Sequence, residues 1–305
     1  MCDYTPFGGT ILSSTTEEGL ILQVALTCVL SIASYHLIEL RKQKRLISYI
    51  AANYAVVIIA AFLGTQFQQQ AFSADQQKIF AAWEDRATYR CGKIFRMLNP
   101  SERICSISSA TSLNAQAVLI VGNSHADSIK TSFNEVAEEQ NFKTYFYVTN
   151  TPLMTKRKIT SDEVITDALK ISSKRIVLHF SPKGVDKDKL EDLIQKAEEH
   201  LILVTIIAPI TTYSKHVPKA LFAESIGEDD VLNKNIEDYE QENKAELTYL
   251  RNLLKNRIVE TAPVFCTPTC RVINNDKELL YFDEGHLTLK GAKMLAAEYK
   301  QALTL

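Results

Sequence analysis

The chain has 305 residues, 46% of them hydrophobic and 23% charged, which excludes a wholly disordered, collagen-like or miniature disulfide protein. Its 34 basic and 36 acidic residues give a formal net charge of -2, so it has no bulk positive field with which to hold nucleic acid.

The apolar residues crowd toward the N-terminus. Gly19 to Leu40 is mostly apolar, about 33 Å as a helix at ~1.5 Å per residue and enough for a bilayer core. A basic cluster follows, Arg41, Lys42, Lys44 and Arg45, and then Leu46 to Phe67 runs without a formal charge. This order predicts a transmembrane hairpin over residues 1–67. Lys and Arg in short loops stay cytoplasmic, so everything after Phe67 is expected on the outer side of the membrane. Buried core helices should show a polar face that Ala51 to Leu63 lacks, and a signal peptide should open the chain rather than follow a long apolar segment.

Cysteine usage agrees with export. Cys2 and Cys28 belong to the membrane part, leaving Cys91, Cys105, Cys266 and Cys270 outside as two sequence-local pairs. An even count in an oxidising compartment suggests disulfides, with four reduced thiols or a zinc site as the alternatives. The zinc reading wants Cys-x-x-Cys pairs or nearby histidines, and neither occurs.

Residues 68–113 are polar and irregular, with a Gln-rich start and a Cys-bracketed stretch, and read as a linker with some helix. From residue 114 on, short β-type runs alternate with amphipathic helical stretches, as in a parallel sheet flanked by helices. The expected strands are 117–121, 144–148, 175–180 and 201–207, and the expected helices 127–140, 161–172, 187–200 and 234–257. The Lys- and Glu-rich last helix reads as a solvated face.

Function in such sheets sits beyond the carboxyl ends of the strands. After the first strand the chain reads Val-Gly-Asn-Ser-His-Ala-Asp, where Gly122 allows a tight turn and Ser124 stands before a helix whose amides can stabilise an oxyanion. Near the other end, Asp283 lies three residues before His286, close enough to orient the imidazole from within one loop. Ser124, His286 and Asp283 are therefore expected to form a catalytic triad. Taken singly, Ser124 as a helix cap and Asp283 with His286 as a surface turn are the duller readings. His125 is expected to be structural or to contact substrate, while His179, His200 and His216 lack metal-ligand spacing. Tyr213 and Pro218 are placed to line a pocket.

Gly122-Asn123-Ser124-His125 resembles the Gly-Asp-Ser motif of SGNH hydrolases, and Asp283-x-x-His286-Leu287-x-x-x-Gly291-Ala292 resembles their last motif. The His after Ser and the cysteines before the Asp-x-x-His loop make this similar to the SGNH domain fused to membrane acyltransferases of the acyltransferase family 3. Ser34-Tyr35-His36-Leu37-Ile38-Glu39 resembles the end of that family's membrane domain. The resemblance implies an SGNH, flavodoxin-like α/β fold over 114–305 behind the hairpin. It implies a Ser-His-Asp acyl-enzyme moving an O-acyl group, such as acetyl, onto an envelope glycan such as lipopolysaccharide or another surface polysaccharide. The setting implied is a bacterial inner membrane with the large domain periplasmic. An acetyl donor such as acetyl-CoA is implied only for the family's other membrane spans; with only the final hairpin matched, the chain is expected to be a fragment, a product of a split gene, or a subunit needing a separate multi-span partner, and no cofactor or metal is expected in it. A membrane-anchored esterase or deacetylase, or a non-catalytic glycan- or partner-binding module, are the alternatives. Asn123 departs from the usual Asp. Gly122 and Asn123 are the oxyanion and turn candidates, and Asn150 and Gly184 sit at strand ends without matching a motif.

Overall fold

The computed structural model describes residues 28–29, 31–32, 35–36, 46–109, 114–147, 160–228 and 232–305, in two compact units divided between Phe80 and Ala81. The first expected membrane span, apart from those three residue pairs, and the basic cluster after it lie outside the described residues, as do Cys2, Val148 and Asn150.

In the first unit, α1 (Leu46–Ala71) covers the second apolar run as one 26-residue helix. Tyr54, Val56, Val57, Ile58, Ile59, Phe62 and Leu63 are all more than half exposed on it. Among the described residues no helix is long and apolar enough to cross a membrane. α2 (Ala74–Ala81) opens where Ser73 and Gln76 exchange backbone-to-side-chain hydrogen bonds of 3.0 and 3.2 Å, which satisfies two of the free amides of the first turn.

The second unit begins with α3 (Lys93–Leu98) and continues as β1 (Ile104–Ser106), β2 (Gln116–Gly122), α4 (Ser124–Glu139), β3 (Phe142–Tyr147), α5 (Ser161–Lys170), β4 (Arg175–His179), α6 (Lys187–Glu199) and β5 (Leu203–Ile207). It closes with α7 (Val217–Ser225), α8 (Ile236–Leu254), β6 (Ile258–Val259), α9 (Ala262–Phe265), α10 (Leu289–Lys293) and α11 (Ala296–Thr304). The strands form one sheet in the order β1-β3-β2-β4-β5-β6, antiparallel only at the β1 edge. The chain steps from β2 to β3 on one side and to β4 on the other, which leaves a crevice beyond their carboxyl ends. Gly122, His179, Ile207 and Val259 are in register across that end.

The apolar runs follow from burial on both faces. Val118, Ile120, Val177 and Ile207 point to the side where Ile129 and Phe133 of α4 and Tyr299 of α11 are buried. The alternate residues Leu119, Val121, Ile176, Leu178, Val204 and Ile206 face a second cluster that includes Val164 of α5, Leu190 and Leu193 of α6, and Leu250 of α8. On α8, Tyr239, Asn243, Leu247, Leu250 and Leu254 are buried at three- and four-residue spacing, so its charged residues form the outer face.

The expected strands and helices are present with shifted ends. One three-residue shift is at α4, which begins at Ser124 instead of Asp127, because Asn123 already caps it: its Oδ1 accepts the His125 N–H at 3.0 Å. β1, β6 and α7 were not expected. The first two are too short to show a period, and α7 enters through Pro218 with no side-chain cap. β1 draws part of the expected linker into the sheet, and Cys91 and Cys105 join in a disulfide there. Cys266 and Cys270 form the second disulfide, and Cys28 is free.

Candidate active site

Ser124 is the one exposed residue in an otherwise buried run from Val118 to Lys130. It owes that position to Gly122, the last residue of β2. A Cβ on Gly122 would stand 1.8 Å from the His179 carbonyl oxygen and 2.6 Å from the Ala126 Cβ. Gly122 is needed for close approach of strand to strand and strand to helix, and its backbone is not in the left-handed region that turn freedom would require.

The turn is locked from below by Asn123. Its Oδ1 accepts from the N–H groups of His125 (3.0 Å) and Ser181 (3.2 Å), while its Nδ2 donates to the Ser181 hydroxyl at 2.7 Å. One amide therefore joins the head of α4 to the loop after β4. Gly184 closes that loop through a 2.9 Å hydrogen bond from its N–H to Ser181 O, and a Cβ there would crowd the Ser181 oxygens at 2.7 Å and Asn123 Nδ2 at 3.1 Å. Gly184 thus shapes the Asn123 turn from the second strand end.

His286 arrives from the far end of the chain. Tyr281 and Leu287 pair as a β-bridge, and between them the N–H of Phe282 donates to His286 O at 3.0 Å, which makes a tight loop of 282–286. The loop is held by the connection after β5: Tyr213 N–H donates to Glu284 O at 2.7 Å, and Gly285 sits where a Cβ would meet Thr212 Cγ2 at 2.8 Å and the His125 ring at 3.3 Å. Farther along, Gly291 in α10 leaves no room for a side chain against Leu280 O at 2.2 Å.

These constraints bring the three expected residues together. His286 Nε2 lies 2.7 Å from Ser124 Oγ, and His286 Nδ1 lies 2.7 Å from Asp283 Oδ2. A carboxylate only accepts, so Nδ1 carries the ring proton and Nε2 offers its lone pair to the serine hydroxyl. Asp283 Oδ1 also accepts the N–H groups of Gly285 (2.9 Å) and His286 (2.7 Å). Burial pushes the Asp283 carboxyl up, but the hydrogen bonds from the His286 ring and these amides outweigh it and hold the group below the usual carboxylate range. Asp283 is therefore a fixed anion.

Two flanking rings fix the imidazole. Phe282 stacks on it with centroids 5.5 Å apart and an angle of 16°, and the His125 ring lies 4.5 Å away. His125 is thus structural and next to the base, one residue after the nucleophile. Burial, with the neighbouring His286 and His179, pushes its pKa well below 6.5, so it stays neutral beside a base that becomes positive. His179 is fully buried, its Nδ1 donates to Ile207 O at 3.1 Å, and burial lowers its pKa to about 4. Sequence spacing could not reveal this histidine row, because His179 belongs to another strand. Tyr213 contributes its backbone to the catalytic loop and Pro218 lies in the first turn of α7. His216 and His200 flank helices, at the start of α7 and the end of α6. Among the described residues no group of three or more His, Cys, Asp or Glu could hold a metal ion.

The geometry is that of a serine nucleophile, a base and an orienting carboxylate, with the N-terminus of a 16-residue helix behind the hydroxyl. Residues 90–301 match the family model described as SGNH domain (fused to AT3 domains). No curated protein matches the chain. A solved structure of a G-D-S-L family protein from Desulfitobacterium hafniense DCB-2 is 14% identical, covering 61% of this chain and 98% of its own, with a TM-score of 0.35; that is too low to bear on fold or function.

Proposed function

The chain belongs to the family of SGNH domains fused to AT3 domains, and from that membership we propose that it transfers an O-acyl group, in the first place acetyl, to an envelope glycan through an acyl-Ser124 intermediate. The observation that carries this is the chain of two 2.7 Å hydrogen bonds from Ser124 through His286 to Asp283.

Ser124 Oγ attacks the carbonyl carbon of the acyl donor as its proton passes to His286 Nε2. The charge that develops on the carbonyl oxygen is stabilised by amides at the head of α4, and Asp283 stabilises the imidazolium without taking its proton. Collapse returns the proton to the departing donor group and leaves the acyl ester on Ser124. A sugar hydroxyl then attacks that ester while His286 accepts its proton, and the proton returns to Ser124 Oγ as the acylated sugar leaves. With water in place of the sugar the same residues make an esterase.

The setting proposed is the bacterial inner membrane, with the catalytic unit on the periplasmic side and residues 1–67 as the anchor. The two apolar runs of the sequence and the basic cluster between them support it, as do the two disulfides of the outer unit. A separate multi-span subunit would deliver the acyl group from a cytoplasmic donor such as acetyl-CoA.

A serine-directed fluorophosphonate tests the chemistry. Labelling of Ser124 that is lost in Ser124→Ala is expected, and an unlabelled wild-type chain would reduce the domain to a binding module. Incubation with an acetyl ester, with and without glycan, then separates the two acceptors: acetate released at equal rate in both, with no acetylated sugar, overturns transfer in favour of hydrolysis.

A further inference from the structure

The stretch between α2 and α3 lies against the catalytic loop and is tied down along its length. Asp85 O accepts the Leu289 N–H at 2.9 Å, and the Asp85 carboxylate accepts the Lys290 N–H at 3.3 Å. Thr88 O accepts from Lys130 Nζ at 2.5 Å, and the Arg90 N–H donates to both Asp127 carboxylate oxygens at 3.0 and 3.2 Å. Lys130 and Asp127 are themselves buried on α4, so the stretch is fixed to the same helix that carries Ser124.

This anchoring sets Trp83 and Arg86 beside the base. The Arg86 guanidinium lies 3.7 Å over the Trp83 indole and 5.4 Å from the Phe282 ring, and Trp83 meets Phe282 edge to face at 6.2 Å. Phe282 is the residue stacked on His286. A continuous strip thus runs from the catalytic imidazole outward through Phe282 to Trp83 and Arg86.

Arg86 is exposed and has no carboxylate partner among the described residues. With its central carbon 3.7 Å from the centre of the Trp83 ring, the exposed guanidinium is already confined by the indole, so less rotamer freedom remains to be lost when a carboxylate docks on it. The aromatic rings beside it offer apolar surface for the C–H face of a sugar. Trp83 and Arg86 also precede residue 90, where the match to the family begins.

We propose that Trp83, Arg86 and Phe282 form a subsite for an acidic, uronate-type sugar of the glycan, with its carboxylate on Arg86 and its ring against the aromatic strip. The proposal rests on the reading of the chain as a glycan acyltransferase and adds the charge of the sugar that it takes.

Trp83 is the sole tryptophan of the chain, so its fluorescence reports on this subsite alone. The full-length chain in detergent, carrying Ser124→Ala to prevent turnover, is titrated with trigalacturonate and with the neutral trisaccharide maltotriose. A saturable change is expected with trigalacturonate only, weakening as NaCl rises from about 0.05 to about 0.5 M. Arg86→Gln should raise Kd at least about tenfold, as loss of a charge-assisted pair requires, with Arg86→Lys in between. Lys244→Gln, on the exposed side of α8, should bind like the parent. An equal response to maltotriose, no saturable response up to about 10 mM, where a site with Kd near 1 mM is already about nine-tenths filled, or unchanged affinity in Arg86→Gln overturns the subsite. Fluorophosphonate labelling of the unmutated chain is read separately. Labelling without trigalacturonate binding removes the subsite and leaves the chemistry, and Arg86-dependent binding without labelling removes the chemistry and leaves the subsite.

Discussion

Asp283 holds His286 at two points at once: Oδ2 receives the ring Nδ1–H and Oδ1 the backbone N–H, both at 2.7 Å. Asp283→Asn separates these roles. The amide oxygen still serves the backbone, but its NH2 faces Nδ1 and forces the ring proton onto Nε2, so the lone pair that should meet Ser124 is gone. Acyl-ester turnover is expected to fall by about 10³- to 10⁴-fold with the melting temperature nearly unchanged. A loss of less than tenfold, measured in steady state on an acetyl ester, would remove Asp283 from the mechanism.

Burial of His179 makes stability depend on pH. Its pKa of about 4 in the fold lies below the ordinary value near 6.5, so between the two the unfolded chain binds the proton that the folded chain refuses. The contribution is complete above pH 6.5 and is lost as pH falls, by about 3 kcal/mol at pH 4. His179→Gln, which keeps a donor for Ile207 O but does not titrate, should flatten the fall in melting temperature between neutral and acid pH. Parallel falls in the two proteins would contradict the assignment.

Gly122→Ala tests close approach. The new methyl cannot coexist with the His179 carbonyl in register beside it, so β2 and β4 must separate or α4 must lift. We expect a loss of roughly 3 kcal/mol or more, since overpacking a tight core costs 1–3 kcal/mol where the backbone can give. Thermal melting checks it, and a variant as stable as the parent would show that strand spacing here is adaptable.

Asn123 separates capping from charge. Asn123→Ala removes the cap of α4 and the tie to Ser181, at a cost of about 1–2 kcal/mol. Asn123→Asp keeps both acceptor bonds, lets the Ser181 hydroxyl turn to donate, and puts a negative charge at a helix N-terminus, where it is favourable by ~0.3–1 kcal/mol. Asp should therefore melt at or slightly above the parent and Ala clearly below. An Asp variant that melts clearly below the parent would mean that the Nδ2–Ser181 bond outweighs the dipole.

The residues that signal themselves locally were legible. Ser124 follows an unbroken apolar strand, and Asp283 and His286 share one short loop, so their chemistry is visible in spacing, and the alternation of runs gives the parallel sheet. The flanking partners were not. His125 and His179 stand 6.3 Å apart only because α4 lies across the end of β4, and Trp83 reaches Phe282 only because Asp85 and Thr88 are tied down elsewhere. Gly122 was legible as a glycine at a turn, yet its reason is a carbonyl on another strand, which periodicity within one segment cannot report.

The six strands all precede His286 in the chain, whereas Ser124 comes after only the second of them. During synthesis the hydroxyl is therefore made 162 residues before the imidazole that it meets. A polypeptide cut short before the 282–286 loop would carry the nucleophile without its base.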